Sequence, residues 1–440
     1  MQGARLAPSP PDHPEAEKPL PRAPSVGIAQ EKEADREELG RTESGVEARR
    51  RPGGGVNAEH DGGREEERDP RNQDQVYSER RGPHPEPGAR RRPERNGTRF
   101  ERPLVRWAHV TTGRAARAFL HRFASASKTE LHLHLEGSAP AAALVRLSTR
   151  GPAPIFPDLA SVRARRRGLG SPEAFFDFYR DICRQITSPA DYGLVARGLT
   201  ARLARENVRW AEVYVSPAVV ERIGLDWYDV KDALERVFSA HEAKGLGKVR
   251  VLLDFVRHWG PASAARVLDL HAERPWARVV GFGLGGDEGA FSLKDFREAY
   301  RRGRKAGLLP VVHAGEWAGP DSVADALRYL RPARIAHGIR AAESASLLRL
   351  LARKGVVCDV CPTSNLRTGA VAPGAVHPLL RMLRAGVPVT LSTDDPGIFG
   401  TTLLGEFRRA ASWGATGGDL ARCVAVARQA AARTRSYSAT

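Results

Sequence analysis

The sequence predicts an α/β fold, a (β/α)8 TIM barrel, on three observations. Eight short apolar runs rich in β-branched residues follow residue 128, and most of them alternate with helical patterns. From the fourth run onward the runs start about 22 to 31 residues apart, a spacing that suits strand–loop–helix units. Eight such units favour a closed barrel over a doubly wound sheet.

The elements follow in a regular order. A short helix over 115–126 leads into the first strand, and a helix precedes each later strand. The predicted strands cover 130–135, 208–215, 249–256, 279–284, 308–313, 334–337, 356–361 and 387–392. The helices before the second to eighth strands cover 192–206, 228–243, 262–271, 293–306, 322–330, 345–354 and 378–385.

The chain also divides into two parts. Residues 1–102 are rich in Pro, Gly, Arg and Glu and contain no aliphatic run, so they cannot bury enough apolar surface to offset their chain entropy. We expect a disordered low-complexity tail there and the barrel at 103–440. A helical insertion at about residues 139–207 is predicted to cap the barrel mouth.

Composition excludes several classes of protein. The formal net charge is +17, but the arginines are spread through helical patterns without a basic patch interleaved with aromatic residues, so we expect no nucleic-acid partner. No apolar run reaches 18 residues and no signal-peptide core is present, which predicts a cytoplasmic protein without a membrane partner. Four cysteines do not make a disulfide framework, and Cys358 and Cys361 indicate the end of a buried strand.

The first strand carries the first sign of a site. In Lys128-Thr-Glu-Leu-His-Leu-His-Leu-Glu-Gly-Ser138 the leucines share one face, while Glu130, His132, His134 and Glu136 share the other. Such a strand can simply turn its polar face to water. It can also present the two imidazoles, at i and i+2, to one metal ion.

Later strand ends add similar residues. In a barrel the active site lies at the carboxyl ends of the strands, where His313, Glu316, His337 and the pair Asp394-Asp395 are found. Three imidazoles and one carboxylate suit a zinc ion with one coordination position open to water. Binding to the ion lowers the pKa of that water from about 15.7 to about 7. The predicted ligands are His132, His134, His313 and Asp394. Glu316 is the predicted proton shuttle, His337 orients or deprotonates the water, and Asp395 accepts a substrate contact.

Six motifs together resemble the adenosine deaminase family over about residues 125 to 435. They are His132-Leu-His-Leu-Glu-Gly137, Gly283-Leu-Gly-Gly-Asp-Glu288, His313-Ala-Gly-Glu316, Ala336-His-Gly338, Cys361-Pro-Thr-Ser-Asn365 and Ser392-Thr-Asp-Asp-Pro396. The resemblance implies a barrel of the metal-dependent hydrolase type with one zinc per chain. It implies hydrolytic deamination of a purine nucleoside, adenosine or deoxyadenosine, to the inosine product and ammonia.

The resemblance also implies roles for individual residues. Water adds at carbon six of the purine while Glu316 protonates the neighbouring ring nitrogen, and His337 and Asp394 hold and activate that water. Gly286 and Asp395 contact the purine ring, and His134 lies beside the substrate. Glu136 stands where adenosine enzymes of the family carry Asp, on the ribose side.

Departures from the family pattern leave alternatives open. Glu136 puts the sugar-side specificity in doubt, and Asn365 with Thr401-Thr402 resembles bacterial members that include aminodeoxyfutalosine deaminases. Adenine deaminase is a further alternative. The carboxyl end, residues 433–440, stops short of the last helix usual in the family, which predicts a weaker closure of the barrel.

Two rival interpretations come from other classes. Gly281-Phe-Gly-Leu-Gly-Gly286 fits a dinucleotide fingerprint, but acids rather than a helix follow it, and they would repel pyrophosphate. The other rival is a catalytically silent purine-binding barrel. Glu316 argues against it, because a binding protein has no use for a proton donor beside the metal.

Overall fold

The structure is a computed structural model that describes residues 113–437, with side chains through residue 434. The predicted tail, residues 1–102, lies outside the described residues, so its disorder and the domain boundary remain predictions. Within the described part of the chain, no helix has the length and apolar character needed to cross a membrane.

Eight parallel strands form one sheet in which every strand pairs with the next one along the chain, as the (β/α)8 barrel requires. This confirms the predicted fold class. The strands are β1 Lys128–His134, β2 Val208–Val215, β3 Lys248–Val256, β4 Val279–Gly285, β5 Leu309–Ala314, β6 Arg334–His337, β7 Val357–Val360 and β8 Val389–Leu391.

Asp394 closes the barrel between β8 and β1. Its backbone N–H donates to the carbonyl of His132 at 3.1 Å, and its carbonyl accepts from the N–H of His134 at 3.0 Å. These bonds form a parallel bridge opposite Leu133. The last strand is therefore joined to the first by the residue whose side chain the sequence places in the site.

Between residues 113 and 437, sixteen α-helices surround the strands. Most of the longer ones begin at a Ser, Thr or Asp whose side chain accepts a backbone N–H of the first turn, the usual N-cap. They are α1 Arg114–Ser125, α2 Ala141–Ser148, α3 Leu159–Arg167, α4 Pro172–Gln185, α5 Pro189–Arg205, α6 Pro217–Arg222, α7 Trp227–Ala243, α8 Gly260–Glu273, α9 Arg297–Lys305, α10 Pro320–Asp325, α11 Ala345–Lys354, α12 Pro362–Arg367, α13 Leu379–Arg384, α14 Pro396–Phe399, α15 Leu403–Ser412 and α16 Gly417–Tyr437.

Short turns of other helix types join these elements. The helix predicted at 293–306 begins as a 3₁₀ turn, and Ser292 and Asp295 form a capping box at its start. The helix predicted at 322–330 ends in a π-turn, after which Arg331 adopts a left-handed φ of 48°. The 3₁₀ turns are Glu136–Ser138, Arg257–Trp259, Leu293–Phe296 and Ile339–Glu343, and the π-turn is Ala326–Leu330.

The first strand departs from the simple alternation that the sequence predicts. The register between β1 and β2 shifts between Glu130 and Leu133, which is a bulge. Glu130 instead accepts bonds from Arg202 of α5 and from Thr393. The prediction that Glu130 shares the histidine face was wrong, because the bulge changes the direction of the side chains that precede it.

Helix α16 packs against both β8 and β1. Ala427, Ala430 and Ala431 of α16 form a buried apolar cluster with Leu131 and Trp210. This helix of 21 residues contacts both strands of that junction, and the weaker closure predicted from the carboxyl end stays a prediction.

Candidate active site

Four predicted ligand side chains meet at the carboxyl ends of β1, β5 and β8. The atoms that they offer lie within 4.8 Å of one another. His132 Nε2 is 3.1 Å from His313 Nε2 and 3.1 Å from Asp394 Oδ1, while His134 Nε2 is 3.3 Å and 3.4 Å from the same two atoms. All four face a common point.

These separations fit a metal ion. A tetrahedral zinc ion with ligands at about 2.0–2.1 Å separates neighbouring ligand atoms by about 3.3–3.4 Å. Four of the six separations, 3.1 to 3.4 Å, are close to such an edge, and all six lie within 4.8 Å. The donor set, three imidazoles and one carboxylate, is also one that zinc accepts.

The electrostatic field of the site favours a cation. Burial opposes a charge on His134, yet Asp395, Asp254 and Asp394 raise the pKa of its imidazole to about 10. Burial and the neighbouring imidazoles lower the pKa of His313 well below its usual value, which keeps that ring neutral. The negative charge that draws a proton to His134 would equally favour a metal cation, whose binding releases the proton.

Asp394 and His337 hold unusual backbone conformations. Their φ angles are 62° and 61°, in the left-handed region that residues other than glycine seldom adopt. Such strain persists only where the surrounding structure imposes it, and it is concentrated at functional sites. Although burial disfavours its charge, His132 and His337 hold the pKa of Asp394 well below the usual range, so it is a carboxylate.

Glu316 lies at the same rim, and the pKa of its carboxyl is shifted in the opposite direction. Burial, with the nearby carboxylates of Asp394, Glu288 and Asp395, raises the pKa of Glu316 well above its usual value. Its Oε2 lies 3.3 Å from His337 Nε2, and its Oε1 accepts from Thr368 at 3.5 Å. The raised pKa favours the protonated carboxyl, the form from which a proton shuttle donates.

A single carboxylate positions the loop that carries Glu316. Glu288 accepts four consecutive backbone N–H groups, from Gly315 to Ala318, at 2.6 to 3.0 Å, and the hydroxyl of Ser322 at 3.0 Å. A carboxylate with this many donors is strongly held. The loop after β4 thus sets the position of the loop after β5.

His337 contacts both acids and an amide. Its Nε2 is 3.3 Å from Glu316 and 3.9 Å from Asp394 Oδ2, and its Nδ1 is 3.0 Å from the side-chain nitrogen of Asn365. His337, Cys361 and Asp394 form a second group with metal-ligand spacing. Burial raises the pKa of the Cys361 thiol well above its usual value, which disfavours the thiolate that a metal needs.

Asp395 is buried, with 1% of its surface exposed, and neither carboxylate oxygen has a hydrogen-bond partner among the described residues. Burial and the neighbouring Asp394 raise its pKa well above the usual value. A Cβ on Gly137 would lie 1.7 Å from Asp395 Oδ1, so only glycine leaves room for this side chain. A buried polar group without a partner is costly unless a ligand supplies one.

The other two predicted substrate contacts lie at the same end of the barrel. Gly286 follows β4 with φ of 95°, and a Cβ there would lie 2.9 Å from His258 Nδ1. Glu136 lies in the turn after β1, and its two oxygens accept the hydroxyls of Tyr179 and Tyr192, each at 3.0 Å. Both tyrosines belong to the insertion, on α4 and α5.

Sequence reasoning did not single out several residues that shape the site. Asp254 lies at 3.6 Å from His134 Nδ1, Glu288 holds the Glu316 loop, and Asn365 contacts His337. Glu288 and Asn365 belong to two of the six motifs, and that membership could have found them. Asp254 lies within β3 outside any motif. An acid in a buried strand can equally well pair with a neighbouring cation, so nothing in the sequence pointed to its contact with His134.

Known proteins resemble this chain in both sequence and fold. The adenosine deaminase family matches residues 127–434. An adenine deaminase from Sinorhizobium fredii is 36% identical over 318 residues, which cover 69% of this chain and 93% of that protein. An aminodeoxyfutalosine deaminase from Streptomyces avermitilis is 36% identical over 309 residues, covering 68% and 84%. A solved amidohydrolase from Burkholderia ambifaria with bound Zn has a TM-score of 0.67 at 25% identity, covering 76% and 94%.

Proposed function

This chain belongs to the adenosine deaminase family, whose members are hydrolases acting on C–N bonds, and we propose that it removes the 6-amino group of a purine by hydrolysis. The observation that carries the proposal is the meeting of four ligand atoms within 4.8 Å of one another, beside the Glu316 carboxyl, whose raised pKa favours its protonated form. We propose one zinc ion per chain, held by His132, His134, His313 and Asp394.

The metal would lower the pKa of water from about 15.7 to about 7, which supplies a nucleophile at neutral pH. The protein's own residues do the rest. His337 and Asp394 hold the water against carbon six of the purine, and Glu316 gives its proton to the neighbouring ring nitrogen. Addition of the water makes carbon six tetrahedral, and its collapse expels ammonia.

Asp395 and Gly286 orient the purine ring in this proposal. The unpartnered oxygens of Asp395 are the reason, since a raised pKa favours the protonated carboxyl, which can donate to a ring nitrogen. Gly286 supplies backbone polar groups at a position where no side chain intervenes. The ring then lies across the mouth between β4 and β8 with its amino carbon toward the ligand cluster.

The surroundings of Glu136 support adenine as the substrate rather than the nucleoside expected from the sequence. Both oxygens of Glu136 are already bound by Tyr179 and Tyr192, and burial raises the pKa of this carboxyl. Helices α4 and α5 therefore close the side on which a ribose would need hydroxyl partners. Adenine has no ribose to place there, and the relative from S. fredii is an adenine deaminase.

A second candidate substrate is aminodeoxyfutalosine, a purine nucleoside that carries a benzoate. Two arginines that could meet such a carboxylate already have other partners: Arg257 donates to the carbonyls of Ala290 and Phe291, and Arg340 pairs with Glu343. Arg367 has no acidic partner among the described residues.

The charge of Arg367 also acts on another arginine. Burial, together with Arg367 and Arg163, lowers the pKa of Arg166, whose guanidinium donates to the carbonyl of Gly397 two residues after Asp395. Like charges held together are relieved by an anion. This cationic site would suit a carboxylate on the substrate, as the relative from S. avermitilis suggests.

An ammonia-release assay separates the candidates. Adenine, adenosine, deoxyadenosine and aminodeoxyfutalosine are compared by kcat/KM, with Glu316→Gln protein as the background. We expect adenine to give the highest value. A preference for aminodeoxyfutalosine that Arg367→Ala removes would select the second candidate, and purine binding without ammonia release from any of the four would identify a silent binding barrel.

A further inference from the structure

Three side chains behind the active site form a continuous hydrogen-bonded chain that ends on His337. The backbone N–H of Leu379 donates to His377 Nδ1 at 3.1 Å. His377 Nε2 is 3.3 Å from Asn365 Oδ1, and Asn365 Nδ2 is 3.0 Å from His337 Nδ1. All three side chains are buried, with at most 5% of each residue exposed.

The first link sets the direction of all the others. A backbone N–H can only donate, so His377 Nδ1 must be the acceptor. Burial and Arg409 lower the pKa of His377 to about 3, so the ring is neutral and carries its one proton on Nε2. That N–H donates to Asn365 Oδ1, which turns the amide nitrogen of Asn365 toward His337. His337 Nδ1 is therefore an acceptor as well.

We propose that Asn365 and His377 are positioning residues that hold His337 as the tautomer with its proton on Nε2. The proton then points into the site, where Glu316 Oε2 lies at 3.3 Å and Asp394 Oδ2 at 3.9 Å. His337 acts there as a hydrogen-bond donor that orients the attacking oxygen, and it has no lone pair on Nε2 with which to accept the water proton. The meaning for catalysis rests on the proposed function; the tautomer itself does not.

The packing around His377 and Asn365 keeps the hydrogen-bonded side chains in place. Its ring stacks on Trp413 with centroids 4.5 Å apart and planes inclined by 14°. Asn365 lies in α12, directly after β7, and its backbone carbonyl accepts the N–H of Val371. The amide can thus neither rotate nor move away without breaking a bond at each end, and this is how a second residue commonly fixes the tautomer of a histidine.

Nuclear magnetic resonance of the zinc-loaded full chain, labelled with [¹⁵N]histidine, reads the tautomer directly. Loss of one set of signals in His337→Gln assigns the ring. We expect a protonated, pyrrole-type Nε2 and an unprotonated, pyridine-type Nδ1 for His337. An unprotonated Nε2 in the native protein, as a metal bound to His337 would produce, overturns the proposal.

Asn365→Asp provides the sharpest variant. A carboxylate can only accept, so it would favour a proton on His337 Nδ1, either as the tautomer whose Nε2 is unprotonated or as the imidazolium. We expect the Nδ1 signal to become protonated and kcat to fall by about 10²–10⁴-fold, the cost of a misdirected proton at a catalytic group. An unchanged His337 spectrum in folded Asn365→Asp protein contradicts the proposal.

His377 offers a matched pair that leaves Asn365 intact. His377→Gln keeps a nitrogen donor for Asn365 Oδ1, whereas His377→Phe keeps the ring against Trp413 but removes the donor. We expect the first to retain the native His337 tautomer and the second to show a mixture. Equal His337 spectra for the two variants would overturn the proposal that His377 acts on His337 through Asn365. If the tautomer is as proposed and no purine is deaminated, the proposed function fails while this inference stands.

Discussion

Asp394 has two roles in this barrel, because its backbone joins β8 to β1 and its side chain lies in the candidate metal site. Its φ of 62° is the geometric result of meeting both demands at one residue. His337, with φ of 61°, lies at the end of β6 under a similar constraint. Strain of this kind costs on the order of 1–3 kcal/mol per residue and is kept where function needs the resulting direction of the side chain.

Glu316→Gln tests the proton donor. Glutamine keeps the shape of the side chain but cannot transfer a proton, so we expect kcat to fall by about 10²–10⁴-fold with little change in bound zinc. Steady-state kinetics and metal analysis of the same preparation check both parts. Turnover at the native rate would remove Glu316 from the mechanism.

His134→Ala tests the metal site. Loss of one imidazole leaves three protein ligands, so we expect zinc to fall well below the native value of about one ion per chain. Inductively coupled plasma mass spectrometry after dialysis gives the stoichiometry. His121→Ala, on an exposed face of α1, is the matched control and should keep its zinc; equal zinc in the two variants would refute the ligand assignment.

Among the elements, the loops after β4 and β5 depend on one another. Glu288 follows β4 and accepts the four backbone N–H groups that surround Glu316 after β5. The proton donor is thus placed by a neighbouring loop rather than by its own. The insertion acts in the same way on the other side, since α4 and α5 hold Glu136 through two tyrosine hydroxyls.

Glu288→Gln tests this coupling between loops. The amide nitrogen of glutamine would face backbone donors, so one bond or more is lost and the loop shifts. We expect kcat to fall by about 10²-fold, the cost of a displacement near 1 Å at a catalytic group, and faster amide exchange at residues 315–318. Glu298→Gln, at an exposed ion pair with Arg301, is the control. Unchanged amide exchange at residues 315–318 in the Glu288 variant would show that the loop keeps its position without Glu288.

At the scale of the whole molecule, a buried ion network ties distant strands together. Arg334 of β6 lies 2.6 Å from Glu212 of β2 and 3.0 Å from Asp359 of β7, and all three side chains are at most 2% exposed. Its guanidinium also donates to the carbonyl of Leu131 at 3.4 Å. The network therefore connects β1, β2, β6 and β7.

Arg334→Met tests how far that network stabilises the barrel. The change leaves two buried carboxylates without their cation, and we expect a loss of about 3–5 kcal/mol in the free energy of unfolding. Denaturant titration followed by circular dichroism measures it. Arg301→Met, which breaks an exposed pair, should change stability little. Equal midpoints for the two variants would contradict the argument.

Deleting residues 1–102 tests the predicted domain boundary. The remaining barrel contains every residue of the candidate site, so we expect kcat/KM and the melting temperature to stay near the native values. Ending the chain before residue 417 is the contrasting variant, since it removes α16 from the β8–β1 junction and should prevent folding. Loss of folding in the first deletion would move the boundary toward the amino terminus.

Local patterns in the sequence determined the barrel and the identity of its rim residues. The regular spacing of the strand runs predicts the order of the parallel strands. Because barrel sites lie at the carboxyl ends of the strands, His132, His313 and Asp394 are predicted to belong to one site. These inferences succeed because alternation and strand–helix repeats are properties of neighbouring residues. They fail at Glu130, where a bulge alters the alternation.

Only the tertiary structure decided the contacts between residues far apart in the chain. Three sets of hydrogen bonds join separate elements. Glu288 accepts from the loop that carries Glu316, and Glu136 accepts from Tyr179 and Tyr192. The third set runs from Leu379 to His337. Their partners depend on how helices and loops pack over the barrel mouth, and no local pattern encodes that packing. Short motifs in the sequence therefore identify the reactive residues, while the fold determines the directions of their protons and hydrogen bonds.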